Sequence, residues 1–79
     1  MNKARKEEIA RIVLQLGVLR DELELVMGEE QEALDNLPEG IQTSERGERM
    51  GENVDAIEEA VNHIVGGIDI LEDMLDENM

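Results

Sequence analysis

The sequence predicts an all-α protein: an antiparallel two-helix hairpin, coiled-coil-like, that assembles into a homo-oligomeric helical bundle. Two stretches carry apolar residues at alternating intervals of three and four, which is the spacing of a coiled-coil seam. The single proline, Pro38, lies between these stretches and interrupts them. The chain has no Phe, Tyr or Trp, so its core must be aliphatic, and this suits helices packed on helices.

The first helix is predicted over about residues 3–36. Its seam consists of Ile9, Ile12, Leu16, Leu19, Leu23 and Val26. The next seam position is the charged Glu30, and Met27 and Leu34, one turn to either side, shift the apolar stripe sideways. The helix should end just before Pro38, since proline disfavours helix in the residue that precedes it.

A loop is predicted over about residues 37–44 and a second helix over about 45–77. A side-chain oxygen of Thr43 or Ser44 is expected to cap the free amides at the start of this helix. Its seam begins at Met50 and continues through Val54, Ile57, Val61, Ile64, Ile68, Leu71 and Leu75. Beside it runs a stripe at seven-residue spacing, formed by Asn53, Ala60, Gly67 and Met74. The small members of this stripe would admit a further helix at close range.

The charge pattern favours an antiparallel arrangement of the two helices. Basic residues crowd the start of the first helix and acidic residues crowd the end of the second, so each set opposes its own helix dipole. Folding the chain back would bring the two sets together. Near the loop, the same reasoning predicts that Glu30 meets Arg49 in a contact that sets the register, with a buried element of a ligand pocket as the alternative.

The length of the chain predicts self-association. Seventy-nine residues form one domain, residues 1–79, near the size at which a single core rarely outweighs chain entropy without help. Without cysteine, disulfides and thiolate metal sites cannot provide that help. Partner subunits remain, so we expect a homo-oligomer.

The composition argues against several classes of partner. The chain has 21 acidic and 7 basic residues and a formal net charge of −14, which repels nucleic acids and anionic membranes. No apolar run approaches the ~20 residues of a membrane span, and the start lacks the apolar segment of a signal peptide. We therefore expect a cytoplasmic protein that binds neither nucleic acid nor membrane directly.

The chain offers little chemistry for catalysis. Ser44 and His63 lie about five helical turns apart, roughly 28 Å, too far for a catalytic pair. Asp55, Glu59 and His63 form an i, i+4 ladder outside the seam, which indicates a solvated stripe rather than a cation site. The Gly66–Gly67 pair lacks the lysine of a phosphate loop. We expect no catalytic residue, metal or cofactor, and no ligand-binding residue can be assigned.

The central stretch EEQEALDNLPEGIQTSERGE, residues 29–48, resembles a motif of small acidic helical proteins from bacteriophages and mobile elements. The residues that match are Asp35, Asn36, Leu37, Pro38, Gln42, Ser44, Glu45 and Glu48, with Glu58–Glu59–Ala60 as a repeat remnant. The resemblance implies a phage-associated accessory protein in the host cytoplasm and carries no activity with it.

Two functions are consistent with these observations. The first is a non-catalytic, homo-oligomeric module that binds a host or phage protein. The alternative is a phage anti-defence protein, which either mimics DNA with its carboxylates or sequesters a small nucleotide signal near the basic residues 3–11.

Overall fold

The computed structural model describes residues 1–78, and these residues form helices and short connections with no strand. The helices are α1 (Lys3–Asp35), α2 (Glu39–Gln42) and α3 (Glu45–Glu77). The prediction of an all-α protein is therefore confirmed for the described residues. The one-turn helix α2 lies in the segment predicted to be a loop.

The ends of α1 follow from its flanking residues. The Asn2 side-chain oxygen accepts a hydrogen bond from the Arg5 backbone N–H at 2.8 Å, which satisfies one of the free amides at the start of the helix. At the other end, Asn36 N–H donates to the Glu32 carbonyl at 3.0 Å. Pro38 follows two residues later, where it starts α2 with a φ of −56° that its ring imposes.

Gln42 closes the connection between α1 and the rest of the chain. Its side-chain amide donates to the carbonyls of Asp35 at 3.1 Å and Leu37 at 2.9 Å. Carbonyls at a helix C-terminus have no partner within the helix, so one glutamine satisfies two polar groups there.

Ser44 occupies the N-cap position of α3, but it does not cap the helix with its side chain. The Ser44 hydroxyl donates instead to the Ile41 carbonyl, and the Ser44 carbonyl accepts from Glu48 N–H at 2.9 Å. The expected side-chain cap is therefore wrong.

The first turn of α3 packs directly on the backbone of α2. Gly47 is buried, and a Cβ atom at this position would lie 2.1 Å from the Gln42 carbonyl oxygen. Only glycine permits this approach, so Gly47 fixes where α3 begins relative to the connection.

The two long helices lie side by side. Each has 33 residues and a length of about 50 Å, whereas the whole molecule measures 58 × 15 × 13 Å. Near the start of α1, Lys6 Nζ donates to the Asn78 carbonyl at 2.8 Å. Near the end of α1, a Cβ atom added to Gly51 would lie 3.9 Å from Leu34 Cδ2.

The core of the described chain is thin. Within residues 1–78, only three apolar residues are buried, Val54, Val61 and Ile68, and all three belong to α3. No side chain in this range is less than 2 % exposed, and α1 contributes no buried residue.

Candidate functional site

On α3, the seam residues face α1. Val54, Val61 and Ile68 are buried. The remaining predicted positions of this seam are half-buried, namely Met50, Ile57, Ile64, Leu71 and Leu75. The row runs almost the full length of the helix and forms the larger part of the core.

On α1, the stripe that faces α3 differs from the sequence prediction. Ile9, Leu16 and Leu23 are half-buried as seam residues. The other three predicted positions, Ile12, Leu19 and Val26, are 37 %, 52 % and 50 % exposed. The other half-buried residues of the stripe that faces α3 are instead Val13, Arg20, Met27 and Leu34.

The difference is a rotation of α1 about its own axis. Ile9, Leu16 and Leu23 belong to two overlapping heptad patterns, and α3 covers only one of them. A Cβ atom added to Gly51 would lie at an ordinary van der Waals distance from Leu34, and the side of α1 with Val13 and Met27 faces α3. The sequence contained one signal for the side of α1 that faces α3, namely the apolar residues Met27 and Leu34 on either side of Glu30. The positively charged Arg20 lies in the same row and made that row look like a polar one.

Glu30 and Arg49 do not meet in the structure. Glu30 is half-buried and accepts a hydrogen bond from Asn53 Nδ2 at 3.1 Å, which links α1 to α3. Arg49 pairs with Glu45 one turn earlier on its own helix, at 3.1 Å. The predicted Glu30–Arg49 contact is therefore wrong. The shorter Asn53 lies one turn further along α3, on the side that faces Glu30.

One side of the molecule carries an exposed apolar groove between α1 and α3. A cavity of 450 Å³ lies there, lined by Leu16, Leu19, Glu22, Leu23, Val26 and Ile64. A second cavity of 440 Å³ adjoins it at Val26, which lines both, and reaches Asn53, Ala56 and Ile57 of α3. Helical spacing places Ile12 on the same side of α1 as Leu19 and Val26, and Ala60 and Gly67 on the same side of α3 as Ala56. We call this surface the groove face and define it by Ile12, Leu19 and Val26 of α1 and Ala56, Ala60 and Gly67 of α3.

Other large apolar side chains are exposed away from the groove face. Leu14, Val18 and Leu25 of α1 are 74 %, 58 % and 69 % exposed, and Ile70 of α3 is 70 % exposed. Val18 and Leu25 each lie two residues after a residue that faces α3, so helical geometry points them to the opposite side of α1. Val65 of α3, which also lies outside the seam, is by contrast half-buried.

The ion pairs of residues 1–78 join residues of the same helix, which corrects the expectation that the terminal charges neutralise each other across helices. Lys3 lies 3.9 Å from Glu7, and Arg11 is hydrogen-bonded to Glu8. The hydrogen bond from Arg11 and the positive charge of Arg11 lower the pKa of Glu8. The same hydrogen bond and the negative charge of Glu8 raise the pKa of Arg11. This pair is solvent-exposed and has the i, i+3 spacing of an ordinary helix surface pair.

The described residues contain no group of three or more metal-ligating side chains. His63 Nε2 lies 3.7 Å from Glu59, and both side chains are exposed, at 80 % and 77 %. The hydroxyls of Thr43 and Ser44 face the carbonyls of Gly40 and Ile41. His63 and Glu59 therefore lie on the exposed surface of α3, and the two hydroxyls form hydrogen bonds within the connection between α1 and α3.

Comparison with protein-family models, curated proteins and solved structures finds no match to this chain. Within residues 1–78, none of the helices combines the length and the apolar character needed to cross a membrane.

Proposed function

We propose that the chain is an antiparallel two-helix hairpin that assembles into a homo-oligomeric bundle and serves as a non-catalytic protein–protein interaction module. We further propose that it is a phage-type accessory protein that acts in the cytoplasm of the host cell.

The contacts between α1 and α3 support the hairpin. Lys6, near the start of α1, bonds to Asn78 at the end of α3, and Glu30, near the end of α1, bonds to Asn53 in the first third of α3. Contacts therefore run in opposite directions along the two helices. A continuous helix through Pro38 would in addition cost about 3 kcal/mol.

The thin core supports the oligomer. A chain of this size needs most of its aliphatic side chains removed from water to offset the entropy of folding. Here three apolar residues are buried, while Leu14, Leu19 and Leu25 are each more than half exposed. A second copy would supply the missing burial.

The observation that carries the interaction role is the set of apolar side chains exposed outside the groove face. Leu14, Leu25 and Ile70 would remain in water after that groove was covered. Leu14, Val18 and Leu25 share the outer side of α1, and a contiguous exposed apolar patch of this kind marks a contact site for another protein.

The experiment tests both levels of the proposal. Analytical ultracentrifugation of the wild type is expected to give a mass above that of one chain. Affinity purification from host lysate is then performed with the wild type and with a Leu14→Glu/Leu25→Glu variant that forms an oligomer of the same number of chains. A genuine partner is retained by the wild type and lost by the variant. Identical captures from both proteins, at background level, would contradict the interaction role.

A second candidate, DNA mimicry, is favoured by the density of charge. Two copies side by side carry twice −14 charges along 58 Å, roughly one per 2 Å, against one per about 1.7 Å in duplex DNA. A DNA mimic should displace labelled duplex from a captured basic protein and lose binding steeply between 50 and 200 mM salt. A captured protein that binds duplex and this chain at the same time would contradict mimicry. The nucleotide-sponge form has less support, because Lys3 and Arg11 already face carboxylates.

A further inference from the structure

We propose that the groove face is the surface on which a second copy of this chain docks, with α1 of one copy seated on α3 of the other. This inference rests on the proposed homo-oligomer and assigns its interface.

The groove face is continuous with the core of the hairpin. Leu16, Leu23 and Ile64 are half-buried between α1 and α3 and also line the groove cavity. A helix seated in the groove would therefore bury the exposed half of these same side chains. It would complete the existing core and would not build a separate one.

The side of the hairpin that carries the groove face is large enough for a stable interface. The hairpin extends over about 58 by 15 Å, an area comparable with the about 800 Å² that each partner of a stable interface buries. Because the hairpin core is incomplete without a cover, the occupant must be present whenever the chain folds. A second copy of this chain is present wherever the chain itself is made, so it can cover the core without any other protein.

The two sides of the groove are complementary in size. The α1 side presents Ile12, Leu19 and Val26, whereas the α3 side presents Ala56, Ala60 and Gly67. Large side chains pack best against small ones across an interface. A two-fold axis parallel to the helices places α1 of each copy on α3 of the other, so each large row meets a small row.

The charges at the loop end agree with this seating. Glu29 lines the second cavity beside Val26, and a neighbouring cavity on α3 is lined by Glu45, Arg46 and Arg49, of which Arg49 pairs with Glu45. With an axis parallel to the helices, the loop ends of the two copies lie together. Arg46 of one copy then lies beside Glu29 of its partner, which favours this orientation.

The other exposed apolar residues do not form a competing surface of this kind. Val18 and Leu25 point away from α3, and Ile70 is nine residues from Val61, half a turn away from the side of α3 that faces α1. These residues therefore lie on opposite outer sides of the hairpin, whereas both helices contribute to the groove face.

Two pairs of adjacent residues provide matched variants. Leu19 and Val18 are almost equally exposed in one chain, at 52 % and 58 %, but only Leu19 belongs to the groove face. Gly66 and Gly67 both have open space around a Cβ atom in one chain, but only Gly67 belongs to the groove face. Their effects should differ only if another molecule covers that face.

The dissociation constant of the oligomer is measured by sedimentation for Leu19→Glu, Val18→Glu, Gly67→Leu and Gly66→Leu. We expect the two groove-face variants to weaken association by roughly 100-fold or more, while the two control variants stay within about threefold of the wild type. Equal effects within each pair, or a larger effect of the control, would overturn the assignment. Far-ultraviolet circular dichroism at high concentration verifies that each variant remains helical.

The seating is tested by disulfide formation, since the chain has no cysteine of its own. Val26→Cys and Ala60→Cys chains are refolded together and oxidised. We expect a cross-linked dimer from the mixture and none from either variant alone, because a disulfide requires Cβ atoms within about 4.5 Å. Cross-linking of Leu19→Cys chains with each other would overturn the α1-on-α3 seating.

The outcomes separate this inference from the proposed function. A wild type that sediments as a single chain at all concentrations would refute the oligomer and the docking face together. A wild-type oligomer that tolerates Leu19→Glu and Gly67→Leu would refute the docking face alone.

Discussion

The contact between Gly47 and α2 makes a sharp prediction about stability. In Gly47→Ala the new Cβ atom would lie 2.1, 2.6 and 2.8 Å from the carbonyl oxygen, carbonyl carbon and Cα of Gln42. These are backbone atoms of a short helix that is tied to α1 through the Gln42 side chain. The connection must therefore move by about 1 Å to restore an ordinary van der Waals separation.

The magnitude follows from two opposing effects. Overpacking of this kind costs about 1–3 kcal/mol or more, and a backbone clash belongs at the upper end. Alanine recovers about 1 kcal/mol of helix propensity relative to glycine. We expect a net loss of about 2 kcal/mol, which corresponds to a fall in Tm of roughly 8–16 °C for a domain of this size.

The assay is thermal unfolding followed by circular dichroism at fixed protein concentration. Gly28→Ala is the matched control, since Gly28 lies within α1, has open space for a Cβ atom and has no positive φ. It should raise the free energy of unfolding by up to about 1 kcal/mol. If Gly47→Ala is as stable as Gly28→Ala, α3 does not start against the backbone of α2 and the description of the connection is wrong.

Three further outcomes are expected. Ile64→Asp should lower the free energy of unfolding by several kcal/mol, because the charge enters the half-buried seam. The exposed Glu58→Lys should change it by less than about 0.5 kcal/mol. Equal helicity and oligomeric mass in both variants would contradict the seam. The Tm of the wild type should fall on dilution from micromolar to nanomolar, and an unchanged Tm would contradict self-association. The depressed pKa of Glu8 stabilises the folded state above the ordinary pKa of glutamate, and this contribution disappears as the pH falls through the lowered value. Arg11→Ala should therefore raise the Glu8 pKa in an NMR titration and remove that pH dependence.

The all-α fold class could be predicted because its signals are local and repeated. The seam of α3 continues through seven regular intervals, and the proline that separates the long helices acts through the backbone itself. The connection was less predictable. Its helix α2 depends on the Gln42 side chain reaching two carbonyls of an earlier segment, and no local propensity encodes that contact.

The rotation of α1 could not be predicted from periodicity, and the reason bears on function. Ile9, Leu16 and Leu23 satisfy two heptad patterns equally, one through Ile12 and Val26 and the other through residues that face α3. A helix that needed only one neighbour would be polar on its second stripe, since exposed aliphatic side chains gain nothing in water. The second stripe of α1 is aliphatic at each of its three defining positions, yet about half of its Leu19 and Val26 surface is exposed in one chain. A helix with two apolar neighbours requires both heptad patterns, and we propose that the second neighbour packs on the groove face.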